Sequence, residues 1–355
     1  MRTRELRVLG LAMILMLLLA ACGGGGEETS GGGESEAAAG ASEGGGSETT
    51  VGVDAEGVQE LIDSGTVRVG VKYDQPLFGV NSPSGVEGFD AEIAKLVVEG
   101  MFRDGDPESH IEFQEAVSAN REPFLENGEV DMIIATYTMN EERDEVVDFA
   151  GPYYKTGQQL MVPEGNPEGI QSPEDLNTGD LSTCSVEGST SLENFQEAAP
   201  DAEIITFDTY TKCAEAMNDG RVEATTTDGA ILYGLVDEFG GFEVVGDEFS
   251  DEPYGIGIPD GATDLRLYLN ERICQIQQSG EWDQAYEETV GVVSDTPEPP
   301  EIGPPLAYDE VFPEGSECPQ ASETGGSSEG TSEMSSEMSS EMTTEPAAPT
   351  SEAAS

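Results

Sequence analysis

Positive charge is scarce in this chain. Fourteen Lys and Arg stand against 73 Asp and Glu, a formal net charge of −59. The place of each cation is therefore informative. Arg143 lies in "TYTMNEERDEVVDFAGPYY" (Thr136–Tyr154), between the acid pairs Glu141–Glu142 and Asp144–Glu145. A guanidinium presents parallel N–H donors that match a planar carboxylate, which makes a rare cation among these acids a question for the rest of the sequence. The plain answer is a pair with Glu142 or Asp144 on a surface helix, where such contacts contribute at most about 1 kcal/mol. The single histidine, His110, has no matched nucleophile motif, so serine–histidine–aspartate chemistry has nothing to rest on. A carboxylic acid acting alone would point to Glu187 or Asp228. No C-x-x-C spacing occurs, and neither a metal site nor a cofactor is expected.

Side chains of this kind need elements to hold them. "TVRVGVKY" (Thr66–Tyr73) alternates Val67, Val69 and Val71 and reads as a strand. "GFDAEIAKLVVEGMF" places Phe89, Ile93, Leu96, Val97 and Met101 at helical spacing, with Gly100 in its end region. "IEFQEAV" is a strand, "REPFLENG" a helix stopping at Gly128, and "EVDMIIATYT" a nearly continuous apolar strand fit for a parallel sheet. The second half repeats the plan with "LSTCSV", "STSLENFQEA", "AEIITF", "TKCAEAMNDG" and "RVEATTTD". Thr136 and Asp228 each lie eight residues beyond a helix-ending glycine, Gly128 and Gly220. Two similar α/β lobes would thus present both residues at equivalent carboxyl ends of strands, where ligands of open sheets bind. A common helix-to-strand turn explains the same match without a shared role. "YGIGIP" is a further strand, and "TDLRLYLNERICQIQQSG" and "EWDQAYEETVG" are helices whose place the pattern does not give.

The ends differ from this middle. A chain so acidic is repelled by nucleic acid and anionic lipid, so neither is an expected partner. Arg2, Arg4 and Arg7 precede an apolar run from Val8 to Ala21, too short for a comfortable membrane span and fit for a signal peptide. "LAAC" (Leu19–Cys22) resembles the lipobox of bacterial lipoproteins, which implies cleavage before Cys22 and a lipid on its thiol; an ordinary signal peptide is the alternative. Residues 22–54 form a flexible tether, whose roughly thirty residues reach about 30 Å. The stretch from about Pro297, with its repeat "TSEMSSEMSSEM", is expected to be mostly disordered. Four cysteines remain: Cys184, Cys213, Cys274 and Cys318. An even number in an exported chain suggests disulfides, and four allow three pairings. Cys184–Cys213 with Cys274–Cys318 is favoured because each closes within one region; free buried thiols are the alternative.

"VRVGVKYDQPLFG", "GVEGFDAEIAKLV", "NREPFLENGEVDMIIATYT", "EERDEVVDFAGPYYKTGQQLMV", "EGSTSLENF" and "EATTTDGAILYG" together resemble the extracellular solute-binding proteins of amino-acid ABC importers. The resemblance covers roughly Val67 to Gly291, and the order of several motifs makes it specific. "KYDQP", "SANRE" and "ATYT" look most like the glutamate-binding branch. It implies the two-lobed α/β fold of type II periplasmic binding proteins. Lobe one is expected at 55–154 plus 254–295 and lobe two at 155–253, after a signal at 1–21 and before a tail at 296–355. The hinge strands would run through "YYKTG" (Tyr153–Gly157) and "DEPYG" (Asp251–Gly255). The pattern from Thr136 through Thr138 to Arg143 implies that Arg143 clamps a ligand α-carboxylate, with Thr138 donating its hydroxyl and N–H. The Thr136 carbonyl and the Asp228 carboxylate would take the α-ammonium. Ser189 and Thr190 would add donors from a helix N-terminus. Asp228 as a plain N-cap is compatible with that role.

Glutamate needs a further cation for its side chain, and Lys72 and Arg121 are the candidates; salt bridging within lobe one is their alternative. Tyr73 and Phe78 would wall the pocket or belong to the core. The expected partners are a free amino acid, the permease subunits of an importer and, through the lipid, the outer face of the membrane; the expected state is a monomer. Receptors for glutamine, aspartate or asparagine, a sensor module and a lyase on the same fold are the competing readings.

Overall fold

The computed structural model describes residues 55–293. The expected signal segment, the tether, Cys22, Cys318 and the C-terminal tail lie outside the described residues.

The described residues open with α1 (Glu56–Ser64), β1 (Val67–Val71) and the small strands β2 (Asp74–Gln75), β3 (Gly79–Ser82) and β4 (Gly85–Glu87). Then come α2 (Phe89–Phe102), β5 (Ile111–Glu115), α3 (Arg121–Glu126), β6 (Met132–Ile133), α4 (Glu141–Asp144) and the long β7 (Val147–Thr156). Lobe two holds β8 (Gln158–Pro163), α5 (Pro173–Leu176), β9 (Ser182–Val186), α6 (Thr190–Ala198), β10 (Glu203–Phe207), α7 (Tyr210–Asn218), β11 (Ala224–Asp228), α8 (Gly229–Phe239) and β12 (Phe242–Val245). The chain returns through β13 (Glu252–Pro259), and α9 (Thr263–Ser279) and α10 (Glu281–Glu288) follow it among the described residues.

The strand orders are β5-β1-β6-β13-β7 and β10-β9-β11-β8-β12. They match position for position, so β6 and β11 are both central strands. β1 is parallel to β5 and β6; β9 is parallel to β10 and β11. In each sheet an antiparallel strand then follows, β13 beside β6 and β8 beside β11. The repeated α/β plan expected from the sequence is therefore present, with antiparallel strands added on one side.

Side-chain pattern explains the layers. Val67, Val69 and Val71 are buried on β1, and Phe89, Ile93, Val97 and Met101 are buried on α2. Each such side chain contributes about 1.5–3 kcal/mol by leaving water. Gly100 does not end α2, which runs on to Phe102. Its function is close packing: a Cβ there would lie 2.5 Å from the Tyr268 Oη of α9. α10 packs on the same lobe, where the Trp282 indole donates to the Tyr153 carbonyl at 2.8 Å and its ring meets Phe89 edge-on. In lobe two a disulfide joins Cys184 of β9 to Cys213 of α7, with Cα atoms 5.5 Å apart. The other expected pair includes Cys318, outside the described residues.

β7 and β13 carry the chain between the lobes, side by side. Thr156 pairs with Glu252, Lys155 with Pro253 and Tyr154 with Tyr254, with an irregularity before Ile256. These are the segments expected as the hinge.

Candidate functional site

The expected apolar strand "EVDMIIATYT" is mostly not ladder. Only Met132 and Ile133 pair as β6, and Thr136 takes a left-handed φ of 43°. The turn is held by buried side chains. Asp90 Oδ2 accepts the Thr136 N–H at 2.8 Å, and the Thr136 hydroxyl donates to Gln75 Oε1 at 2.9 Å. The chain then pairs briefly with β13: Met139 N–H reaches the Pro253 carbonyl and Gly255 N–H the Tyr137 carbonyl. In that antiparallel pattern the N–H and C=O of the residue between, Thr138, point away from β13.

Arg143 follows on α4, whose cap Asn140 accepts the Arg143 backbone N–H at 2.9 Å. The side chain is 7 % exposed, so the alternative of a surface pair is not its setting. Nε pairs with Glu122 of α3 at 3.1 Å, Nη1 donates to the Thr138 carbonyl at 2.6 Å and Nη2 to the Gly188 carbonyl at 3.2 Å. Three of five guanidinium N–H groups are thereby used, and two remain. Arg121 differs. It donates to the carbonyls of Ser118, Ala135, Thr136 and Gly188, which leaves a single N–H. Both guanidinium groups lie over the Tyr137 ring, at 4.3 Å for Arg121 and 5.0 Å for Arg143.

Lys72 leaves the end of β1 and is 2 % exposed. Its Nζ donates to Ser118 Oγ at 2.8 Å. Burial pushes its pKa down to about 7, with the Arg121 charge adding to the effect. A buried ammonium with one protein acceptor of this kind gains from an anion placed beside it.

Lobe two meets these groups. Gly188 precedes α6, and its carbonyl is shared by both arginines of lobe one. Its φ of 72° and its closeness to Ala119 both call for glycine; a Cβ would lie 2.6 Å from the Ala119 Cα. Ser189 caps α6: its hydroxyl accepts the Leu192 N–H at 3.1 Å and donates to the Val186 carbonyl at 2.7 Å. Thr190 sits next, and its hydroxyl reaches across to lobe one. Asp228 ends β11 at the N-cap of α8 but makes no side-chain cap there. Its carboxylate instead accepts from Ser191 Oγ at 3.1 Å and from the Tyr254 hydroxyl at 2.5 Å. Burial, and then the neighbouring Glu252 charge, push the Asp228 carboxyl up to about 7. Burial also pushes Asp90 up to about 7, against the pull of Tyr153, the Thr136 N–H and Lys72.

Thr136, Thr138, Arg143, Lys72 and Arg121 thus gather on lobe one, facing Ser189, Thr190 and Asp228 on lobe two. Phe78 belongs to the aromatic core, edge-on to Phe89, Tyr154 and Tyr254. The Tyr73 hydroxyl is bonded to the Phe113 carbonyl on the partly buried edge of that core. His110 stacks on Phe102 and bonds Asp104, and Glu187 is exposed. Among the described residues no group of three His, Cys, Asp or Glu is placed to hold a metal ion, and no helix is long and apolar enough to cross a membrane.

Sequence reasoning missed Glu252. It was visible only as part of the crossover segment "DEPYG", yet it is 1 % exposed and accepts from residues of both lobes. Asp90, Gln75 and Ser118 were missed as the residues that fix Thr136 and Lys72. Nothing in an isolated acid or amide signals burial; only its position in the fold does.

The sequence profile described as bacterial extracellular solute-binding proteins, family 3, matches residues 67–292, and the chain belongs to this family. It is 38% identical over 230 residues to the ABC transporter glutamine-binding protein GlnH of Bacillus subtilis, covering 64% of this chain and 82% of that one. It is also 38% identical over 244 residues to the glutamate-binding protein GluB of Corynebacterium efficiens, covering 66% and 82%. Among solved structures, the solute receptor for L-cysteine of Neisseria gonorrhoeae superposes with a TM-score of 0.64 at 32% identity, covering 69% of this chain and 97% of that chain. The family is one of binding proteins, which sets the chain apart from enzymes on the same fold.

Proposed function

We propose that this protein is the extracellular receptor of an amino-acid ABC importer and that its preferred ligand is L-glutamate. The observation that carries the reading is the convergence of Arg143 and Thr138 from lobe one with Thr190 and Asp228 from lobe two. Arg143 has two N–H groups to spend on an α-carboxylate, and Asp228 is an acceptor for an α-ammonium. Lys72 supports an acidic side chain, with Arg121 holding the surrounding carbonyls rather than the ligand. Relatives of equal identity, one named for glutamine and one for glutamate, make glutamine the second reading. In this proposal Cys22 carries the lipid that keeps a monomeric receptor on the outer face of the membrane beside its permease.

Calorimetric titration of the protein, freed of bound amino acids, with L-glutamate, L-glutamine, L-aspartate and L-arginine tests this. One-to-one binding that favours glutamate, and a larger loss for glutamate than for glutamine in Lys72→Met, support the assignment. Preference for glutamine with Lys72→Met unchanged moves the reading to a glutamine receptor. No binding of any amino acid overturns it. A diacylglyceryl mass on the mature N-terminal Cys22 tests the anchor.

A further inference from the structure

Glu252 stands where the two lobes and the returning strand meet. Its two oxygens face different partners. Oε1 accepts from Asn194 Nδ2 at 2.9 Å and from the Ser250 hydroxyl at 2.6 Å, both in or near lobe two. Oε2 accepts from the Thr138 hydroxyl of lobe one at 2.6 Å and the Thr190 hydroxyl of lobe two at 2.8 Å. The Thr190 hydroxyl also lies 3.4 Å from the Thr138 hydroxyl; with one proton to give, it favours the nearer and charged Glu252. These two hydroxyls belong to the residues expected to receive a ligand's α-carboxylate, and the acceptor holding them is itself a carboxylate.

We propose that Glu252 is an internal competitor of the ligand, a carboxylate of the chain that holds Thr138 and Thr190 across the cleft until the α-carboxylate of an amino acid displaces Oε2. The proposal rests on the amino-acid reading above. The geometry suits an exchange. Oε1 keeps Asn194 and Ser250 when Oε2 lets go, so the displaced carboxylate is not left bare. Arg143, bonded to the Thr138 carbonyl, stands ready beside the incoming group.

The carboxylate also acts on its neighbour. Asp228 is faced by Ser191 on α6, Tyr210 on α7, Arg121 on α3, Tyr254 on β13 and Glu252 itself. Of these, the Glu252 charge is the one that opposes its ionisation. Replacing that charge by an amide therefore weakens the hold on two hydroxyls, since an amide oxygen is a poorer acceptor than a carboxylate, and leaves Asp228 more readily ionised. Both effects favour the ligand.

The test is titration of the full chain with L-glutamate and L-glutamine, in wild type, Glu252→Gln and Asn194→Ala, each checked for a cooperative thermal transition. Asn194→Ala removes one partner of Glu252 Oε1 without touching Thr138, Thr190 or Arg143. We expect Glu252→Gln to bind the preferred amino acid about three- to thirtyfold more tightly and Asn194→Ala, which leaves the displaced carboxylate barer, to bind it more weakly. The pH at which binding fails on acidification should fall in Glu252→Gln, an effect that mere loosening of the fold does not produce. Wild-type binding with equal or weaker affinity in folded Glu252→Gln, or tighter binding in folded Asn194→Ala, overturns the proposal and leaves the receptor reading standing. No binding by wild type overturns both.

Discussion

Arg143 and Arg121 share a ring and a carbonyl, yet they differ in what they have left to give. Arg143 retains two N–H groups and Arg121 one, because Arg121 holds four carbonyls. The scarcity that made Arg143 conspicuous in the sequence thus coincides with spare bonding capacity in the fold. Arg143→Ala should weaken binding by about 2–5 kcal/mol, or roughly thirtyfold to several-thousandfold, measured by titration; unchanged affinity in a folded variant would refute the clamp. The buried titratable groups make a separate prediction. Asp90 and Asp228 stand at about 7 against an ordinary 3.8, so the native chain holds more protons than the unfolded one between those values. Stability from these two groups is present at low pH and is lost as pH rises from about 4 to about 7. Lys72 works the other way. Its native value of about 7 lies below the ordinary 10.5, so its burden is full below 7 and is lifted as pH rises towards 10.5. Together they place a minimum near neutrality. Asp90→Asn should show a smaller fall in melting temperature between pH 5 and pH 7 than wild type; an identical profile would remove Asp90 from this account.

Elements were legible in the sequence wherever one periodicity ran long enough. The helix at Phe89–Phe102 and the strands at Val67–Val71 and Ser182–Val186 follow from alternation or helical spacing alone. The match between Gly128–Thr136 and Gly220–Asp228 pointed to equivalent strands in two similar lobes, and β6 and β11 hold matching places in the two sheets. What the pattern could not convey was that "EVDMIIATYT" leaves the ladder after Ile133, because that departure depends on Asp90 and Gln75, some 45 to 60 residues earlier. Glu252 was hidden for the same reason: an acid in a crossover segment reads as a solvated hinge residue until both lobes close over it. The loop ahead of α6 offers the test at this scale. Gly188→Ala adds a methyl against the Ala119 backbone and strains a positive φ. Ligand affinity should fall while the lobes stay folded, and small-angle scattering should report a larger radius of gyration with ligand. A radius equal to that of wild type would show that the lobes tolerate the methyl.

Over the whole molecule, charge and architecture pull in different directions. A net charge of −59 repels an anionic ligand such as the proposed glutamate at a distance, whereas Lys72, Arg121 and Arg143 would attract it at the proposed site. Repulsion of this range is screened over about 8–10 Å at physiological ionic strength, and buried pairs are screened far less. The association rate for L-glutamate in stopped flow should therefore rise with added salt from low ionic strength, with the dissociation rate changing less. A falling association rate would mean that the local cations already dominate the approach path.

Thr156 and Glu252 lie opposite one another on adjacent strands, although 96 positions separate them along the chain. Everything between them is lobe two. A segment whose two ends are neighbours is an insertion, and the host can in principle accept a different insert at the same seam. Lobe two can thus be exchanged as a cassette with that of a relative, which would separate the recognition proposed for Asp228 and Thr190 from that proposed for Arg143 and Lys72. A pair of fluorophores, one on each side of the seam, would turn the same geometry into an optical sensor for its ligand.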